Sequence, residues 1–478
     1  MRIAIIGGGA AAAGLLDSLA AGEAGPGEVT VFEPSAHLWR GRPYAPDLDS
    51  VLVNAPPAIM SIRHGDPGHY AAWLGPERAA AHLDGLLGQP LVPRALYGDY
   101  LADTAEAALA ALRGRGWRTR VVAARVVAVT RSGGDPGPAL RTEDGREHPA
   151  DQVVLCVGGG TPQDHYGLDG APGFVGDPYP LARTRGHIPA GAHVAVIGSG
   201  LTAVDVVVSL AAGGHAGRIT LVSRSGLLPH VWQRPLGHRP VHVTAARVAA
   251  LSRADGGVTL AGLAGLLRAE LAEAGEDFAD FTAELLAAGS EEPVRRLRRQ
   301  LDAVGDPRIG RRVLQETAHT VGPHAWRLLP EPDRDRLRGH FRLATSVASP
   351  MVPVNAAALL RLFESGQLAM AAGVRKIEAV AGGFLVRGDG GDLAADVVVN
   401  AVNPPPQAVP RAAEPLVTSL LAGGMATLHP SGGLVPAGPR LHVVGDLAGG
   451  GPFITSGIPG VAAAGARAAR ELWAAHTG

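Results

Sequence analysis

The stretch "VAVIGSGLTAVDVVVSL", residues 194–210, reads as a short apolar strand, a glycine turn and a helix of small and branched residues. The stretch "IAIIGGGAAAAGLLDSL", residues 3–19, follows the same order near the start of the chain. Gly7, Gly9 and Ala12 in the early copy, and Gly198, Gly200 and Ala203 in the later one, fit the spacing G-x-G-x-x-G/A. The first glycine permits a tight turn, and the second lets the backbone approach a pyrophosphate. The small third residue lets the helix pack close to its strand. Phosphates then sit at the helix N-terminus, where unpaired N–H groups and the helix dipole favour negative charge. Two such openings predict an α/β chain with two Rossmann-like dinucleotide-binding domains.

The second strand of each unit tells the two apart. Glu33 lies 26 residues after Gly7, where a carboxylate accepts hydrogen bonds from a ribose diol. Arg224 lies 26 residues after Gly198. An arginine cannot accept from a diol, but its planar fork pairs with a 2′-phosphate. The first site therefore reads as one for an unphosphorylated adenosine, as in FAD or NAD, and the second as one for NADPH. The plain alternative for Arg224 is a solvent-facing loop arginine.

A chain of 478 residues exceeds one ordinary core. Apolar residues at 46% and charged residues at 18% fit a globular rather than a disordered protein. A formal net charge of -1 gives no basis for a nucleic-acid or anionic-membrane partner. No charge-free apolar run reaches the roughly 18 residues that span a bilayer, so the expected location is the cytoplasm. Cys156 is the single cysteine, which excludes an internal disulfide and a dithiol centre. It lies in the apolar run "QVVLCVGGG" and reads as a buried structural thiol. His238 and His242 have the spacing of a helical metal pair, but Pro240 stands between them and no metal site is expected.

Along the chain, residues 1–175 read as the first part of one dinucleotide-binding domain. Residues 176–345 read as an inserted second domain that carries a helical segment, and residues 346–478 as the return to the first. The helical segment holds the arginine-rich run "EPVRRLRRQLDAVGDPRIGRRVL", residues 292–314. It reads as a solvated helical face, with an anion-binding surface as the alternative.

Near the end, "LHVVGDLAGGG", residues 441–451, resembles the flavoproteins with two dinucleotide-binding domains. In that group a strand ending in Gly-Asp gives a carboxylate to the ribityl chain of FAD, and the following helix points its N-terminus at the flavin. Gly445 and Asp446 match the motif, and "GPFITSGIPG" would be the loop and helix start, with Ile454 and Thr455 beside the flavin. The glycines from Gly158 onward resemble the first crossover between the domains. "VVVNAVNPP" resembles the second, with Asn403 in place of the usual glycine. Asparagine is among the residues that best tolerate positive φ.

The loops "LVNAPPAIMSIRHGDPGHYAAWL" and "LVPRALYGDYL" narrow the likeness to the bacterial FAD/NAD(P)-binding protein family. That family is more distantly similar to the NADPH-dependent flavin N-hydroxylases and other class B monooxygenases. The resemblance implies FAD on Gly7, Gly9, Glu33 and Asp446, with the loop carrying Asn54, Met60 and Ser61 passing the flavin ring. It implies NADPH on Gly198, Gly200, Thr202 and Arg224.

The implied chemistry begins with hydride transfer from NADPH to the flavin in a water-poor cleft. The resemblance favours a monooxygenase that hydroxylates the nitrogen of a small amine or amino-acid-like metabolite with dioxygen, through a C4a-hydroperoxyflavin. The alternatives are a reductase or dehydrogenase without oxygenation, and a non-catalytic flavin-binding redox protein. His64, Asn54 and Arg94 are candidate site residues, because polar residues in glycine- or proline-rich loops tend to line sites. No residue of the sequence stands out as a general base. One cysteine excludes a dithiol reductase, and no G-x-S-x-G or H-E-x-x-H motif occurs.

Overall fold

The structure, a computed structural model, describes residues 1–22, 25–131, 137–235, 237–253, 256–451 and 457–477. Ten strands build two central sheets. They are β1 (Arg2–Ile6), β2 (Glu28–Phe32), β3 (Arg118–Val122), β4 (Gln152–Leu155), β5 (Phe174–Val175), β6 (Val194–Ile197), β7 (Ile219–Val222), β8 (Leu368–Ala371), β9 (Val397–Asn400) and β10 (Leu441–Val443). The first sheet has the order β10-β4-β1-β2-β3 and the second β5-β9-β6-β7-β8. All pairings within both sheets are parallel. Every residue of β4, β6, β7 and β9 is buried, as a parallel sheet covered on both faces requires.

Six helices position the site: α1 (Ala10–Ala21), α2 (Arg94–Gly114), α3 (Leu201–Ala212), α4 (Gly310–Thr320), α5 (Phe341–Ala348) and α6 (Ile458–Thr477). α1 packs between α2 and α6 over one face of the first sheet. Its apolar side, Leu15, Leu16 and Leu19, is fully buried there. α3 covers the second sheet in the same way through Val204, Val206 and Val207.

The two units do not divide where the sequence pattern placed the cut. β8 and β9 pair into the second sheet, so the boundary expected after residue 345 falls inside the inserted unit. β5 opens that unit at Phe174, just before the expected start. The misreading has a local cause. A three-stranded antiparallel meander (Val374–Val380, Gly383–Gly388, Gly391–Ala395) lies between β8 and β9 and imitates the start of new structure. The first unit carries a matching meander between β3 and β4.

Asn403 does not form the positive-φ turn expected of it. Among the described residues, the non-glycine residues with positive φ are Trp39 and Gln407. Asn403 instead donates from Nδ2 to Thr202 Oγ1 at 3.1 Å, tying the return crossover to α3.

The helical segment lies between β7 and β8, and its arginine cluster is a solvated face only in part: Arg295, Arg298 and Arg308 are exposed, but three others are not. Arg296, Arg311 and Arg312 are 2%, 4% and 2% exposed. Arg296 donates to the carbonyls of Ala288 and Leu228, and Arg312 to those of Arg234 and Arg308. These guanidiniums satisfy loop and helix-end carbonyls that would otherwise be buried without donors.

His230 lies among them, and burial, reinforced by Arg296 and Arg311, lowers its pKa to about 3. The unfolded chain takes up a proton below about 6.5 that the native state refuses. Stability therefore falls as pH drops from there towards 3, by up to ~1.4 kcal/mol per pH unit. Urea unfolding across that range should show a flatter pH dependence for His230→Gln; an unchanged slope would refute this origin.

Candidate functional site

The two glycine turns have the same geometry. Gly7 and Gly198 adopt φ of 103° and 110°, a region that penalises any Cβ. At Gly7 an added Cβ would stand 2.5 Å from the Cys156 carbonyl oxygen, so the end of β4 presses on the turn. Gly9 and Gly200 then cap α1 and α3. Gly200 has nothing within 4 Å of its would-be Cβ, leaving the second helix start open to a ligand. Ala12 and Ala203 are fully buried and let each helix close on its strands.

Both turns open on one cleft of about 1620 Å³, lined by the C-terminal ends of strands from both sheets. Ligands of open parallel sheets bind at such ends. From the first unit the cleft collects Gly7, Gly9, Glu33, Asn54 and Met60, and beyond β4 and β10 it adds Gly158, Gly445 and Asp446. The second unit contributes Gly198, Gly200, Thr202 and Arg224. Ser61 is not among the lining residues: its hydroxyl donates to the Asp66 carbonyl at 2.6 Å. His64 is exposed and also lies outside the cleft. Ile454 and Thr455 fall outside the described residues.

The two strand tips are prepared differently. Glu33 accepts from the Gly8 N–H at 2.7 Å and the Ser35 N–H at 2.8 Å, which fixes the carboxylate at the end of β2. Each oxygen keeps a lone pair for a diol. Arg224 is exposed on the opposite side and makes no ion pair with the described residues. Asn54 has a buried Oδ1 with no hydrogen-bond partner, while its carbonyl accepts from Trp232 Nε1 at 2.6 Å. Cys156 is buried against the Gly7 turn, and burial pushes its thiol up, so it is no nucleophile.

Arg94 joins the two units. Its Nε donates to the Leu52 carbonyl at 2.9 Å, two residues before Asn54. Its Nη2 meets Asp205 Oδ2 on α3 at 2.6 Å, with side-chain exposures of 10% and 1%. The Tyr179 hydroxyl donates to the same carboxylate and accepts from Arg94 Nη1 at 3.0 Å. Burial pushes the Asp205 carboxyl up, and the Arg94 guanidinium and the Tyr179 hydroxyl oppose that shift. Burial likewise opposes the charge on Arg94, and Asp205 overrides it. Sequence reasoning singled out Arg94 but missed Asp205 and Tyr179. The available signal was an acid inside the apolar run of α3, which must find a partner when buried.

His238 and His242 bind separate carboxylates, Glu270 Oε1 at 2.9 Å and Glu273 Oε2 at 2.8 Å. No helix among the described residues is long and apolar enough to cross a membrane.

Residues 4–160 match the family model described as FAD-NAD(P)-binding. No curated protein matches the sequence. Among solved structures, the fold is similar to the ornithine N-hydroxylase of Kutzneria sp. 744, with a TM-score of 0.60 and 14% identity over 100% of this chain and 99% of that one. It is similar to the cadaverine monooxygenase of Erwinia amylovora, with a TM-score of 0.59 and 12% identity over 98% and 94%. It is also similar to the L-lysine 6-monooxygenase of Pseudomonas syringae, with a TM-score of 0.57 and 15% identity over 99% and 98%. The chain shares with these structures the fold of two Rossmann-like units, one inserted in the other.

Proposed function

We propose that the protein is an FAD-dependent oxidoreductase that takes hydride from NADPH, and that it acts as a monooxygenase on the nitrogen of a small amine-bearing metabolite. The observation that carries this reading is the single cleft shared by two dinucleotide cradles, with an acid at one strand tip and an unpaired arginine at the other. The residues present fit the cofactors. The Gly7 and Gly198 turns set two helix starts on the cleft, and nothing lies within 4 Å of a Cβ built at Gly200, so that helix start is open to a phosphate.

When bound, the flavin and nicotinamide supply two-electron transfer, and the flavin supplies oxygen activation. This chain's residues hold and orient. Gly7, Gly9 and Glu33 hold the adenosine diphosphate half of FAD, and Asp446 faces its ribityl chain. Gly198, Gly200 and Thr202 hold the NADPH pyrophosphate, with Arg224 on the 2′-phosphate. The Arg94–Asp205–Tyr179 cluster fixes α3 relative to the loop before Asn54, and so sets one cradle against the other. The fold neighbours named for ornithine, lysine and cadaverine oxygenation support the oxygenase reading over a simple reductase.

The test is direct. The purified protein incubated with FAD should retain it, and anaerobic NADPH should bleach the flavin. Admission of oxygen with an amine substrate should then yield hydroxylated product. A colourless protein overturns the reading, and NADPH oxidation without product for any amine reduces it to a reductase. Arg224→Ser should raise the KM for NADPH by about 10–100-fold and leave NADH unchanged, the worth of one charge-assisted pair. Equal losses with both dinucleotides would remove Arg224 from the phosphate.

A further inference from the structure

The helical segment forms a second wall of the cleft and meets the loop that carries Asn54. α4 packs against α5, against the turn at Pro57–Ile59 and against α6. Met60, Trp232, Val352 and Ile458 share one apolar cluster at this junction. Two indoles close the chamber. Trp232 donates to the Asn54 carbonyl, and Trp326 Nε1 donates to the Gly450 carbonyl at 2.8 Å.

The polar groups of this chamber fall into two sets. Thr345 Oγ1 and Arg338 Nη2 are buried with no hydrogen-bond partner, and both residues line the cleft. The Arg338 guanidinium is held in place through Nη1 by Glu331 and Asp335 and lies over the Trp326 ring at 5.3 Å. Arg342 adds a second guanidinium to the wall and makes no ion pair with the described residues. None of the described acidic residues of the helical segment lines the cleft. The other set consists of acceptors. Asn54 Oδ1 is orphaned, and His319 binds the Ala348 carbonyl through Nε2 at 2.6 Å, which makes Nε2 the donor and leaves Nδ1 as an acceptor beside Gly457. Burial lowers the basicity of His319 and keeps the ring neutral.

We infer that this chamber takes an amine that also bears a carboxylate, with the carboxylate against Arg338, Thr345 and Arg342 and the amine nitrogen towards Asn54 and His319. The inference rests on the monooxygenase reading and names its substrate class. A buried donor without a partner costs ~1–3 kcal/mol, and the cost is recovered when a ligand supplies the acceptor. A carboxylate has lone pairs enough for all three donors and pairs with guanidinium forks. A bare diamine would bring a second ammonium against two arginines, with no carboxylate of this wall to receive it. The phosphates of NADPH are rival anions for these donors, and the experiment separates them from a substrate carboxylate.

The FAD-loaded protein, with NADP+ present, is titrated with carbon-matched pairs, L-lysine against cadaverine and L-ornithine against putrescine, following flavin absorbance. The carboxylate-bearing member of at least one pair should bind at least tenfold more tightly. Thr345→Val should weaken that member about tenfold without lowering the unfolding midpoint, because no bond within the protein is lost. Thr345→Ser should restore it. Arg338→Gln should abolish the preference, but it also breaks bonds to Glu331 and Asp335, so Thr345→Val is the cleaner readout. Equal binding of both members, or no binding by either pair, overturns the inference. So does a Thr345 or Arg342→Gln variant that loses NADP+ affinity instead. Failure to bind FAD at all would sink the oxidoreductase reading itself, a distinct outcome.

Discussion

Replacing Asp205 with alanine is expected to destabilise the protein by about 3–5 kcal/mol, because it strands the Arg94 guanidinium in a site that is 10% exposed. Tyr179 loses its acceptor in the same step. Arg94→Met should cost a similar amount by leaving the Asp205 carboxylate unpaired. The double variant Arg94→Met/Asp205→Leu should be more stable than either single variant, since no buried charge then lacks its partner. Urea unfolding followed by tryptophan fluorescence reads these differences. Single-variant losses below about 1 kcal/mol, the range of a surface pair, would show that the cluster is solvated. The double variant has a further use. With a stable fold but this inter-unit tie removed, flavin reduction by NADPH should slow while FAD content stays constant. An unchanged rate would mean that other contacts set the two cradles.

The second large effect is expected at Gly7. Gly7→Ala places a Cβ 2.5 Å from the Cys156 carbonyl oxygen on a backbone with φ of 103°. Neither the strand nor the turn can yield without moving the other. FAD affinity should fall by at least about 100-fold, equivalent to ~2.8 kcal/mol. Gly198→Ala shares the strained φ but meets its nearest atom, the Ala401 carbonyl oxygen, only at 3.3 Å. It should retain FAD and lose NADPH affinity more mildly. Flavin-to-protein ratios and NADP+ titrations check both. Full flavin retention by Gly7→Ala would mean that the turn relaxes.

Much of this was legible in the sequence because it is local. The glycine spacing, the strand before it and the acid or arginine at the next strand tip all lie within one βαβ unit, and the chain has no freedom to place them elsewhere. Asp446 followed from a short motif of the same kind and lines the cleft. Most errors came from long-range facts. Ser61 is a local exception: it sat in the right loop, but its hydroxyl turns back to the Asp66 carbonyl five residues on, which no sequence motif marks. The arginine cluster was read as a wet face throughout because polar periodicity assumes water on the polar side; for Arg296 and Arg312 loops and helix ends supply the acceptors instead. The cut at residue 345 failed because a meander looks the same whether it opens a domain or interrupts one. Asp205 needed its partner 111 residues upstream, Arg94, before its charge made sense.

The edge strand β10 gives the first sheet its fifth member only at Leu441–Val443, whereas the inserted sheet is complete by Asn400. During vectorial synthesis the guest therefore has every strand available while its host still lacks one border and the α6 layer that buries α1. The inserted half is thus positioned to mature on the ribosome ahead of the half that surrounds it in the chain.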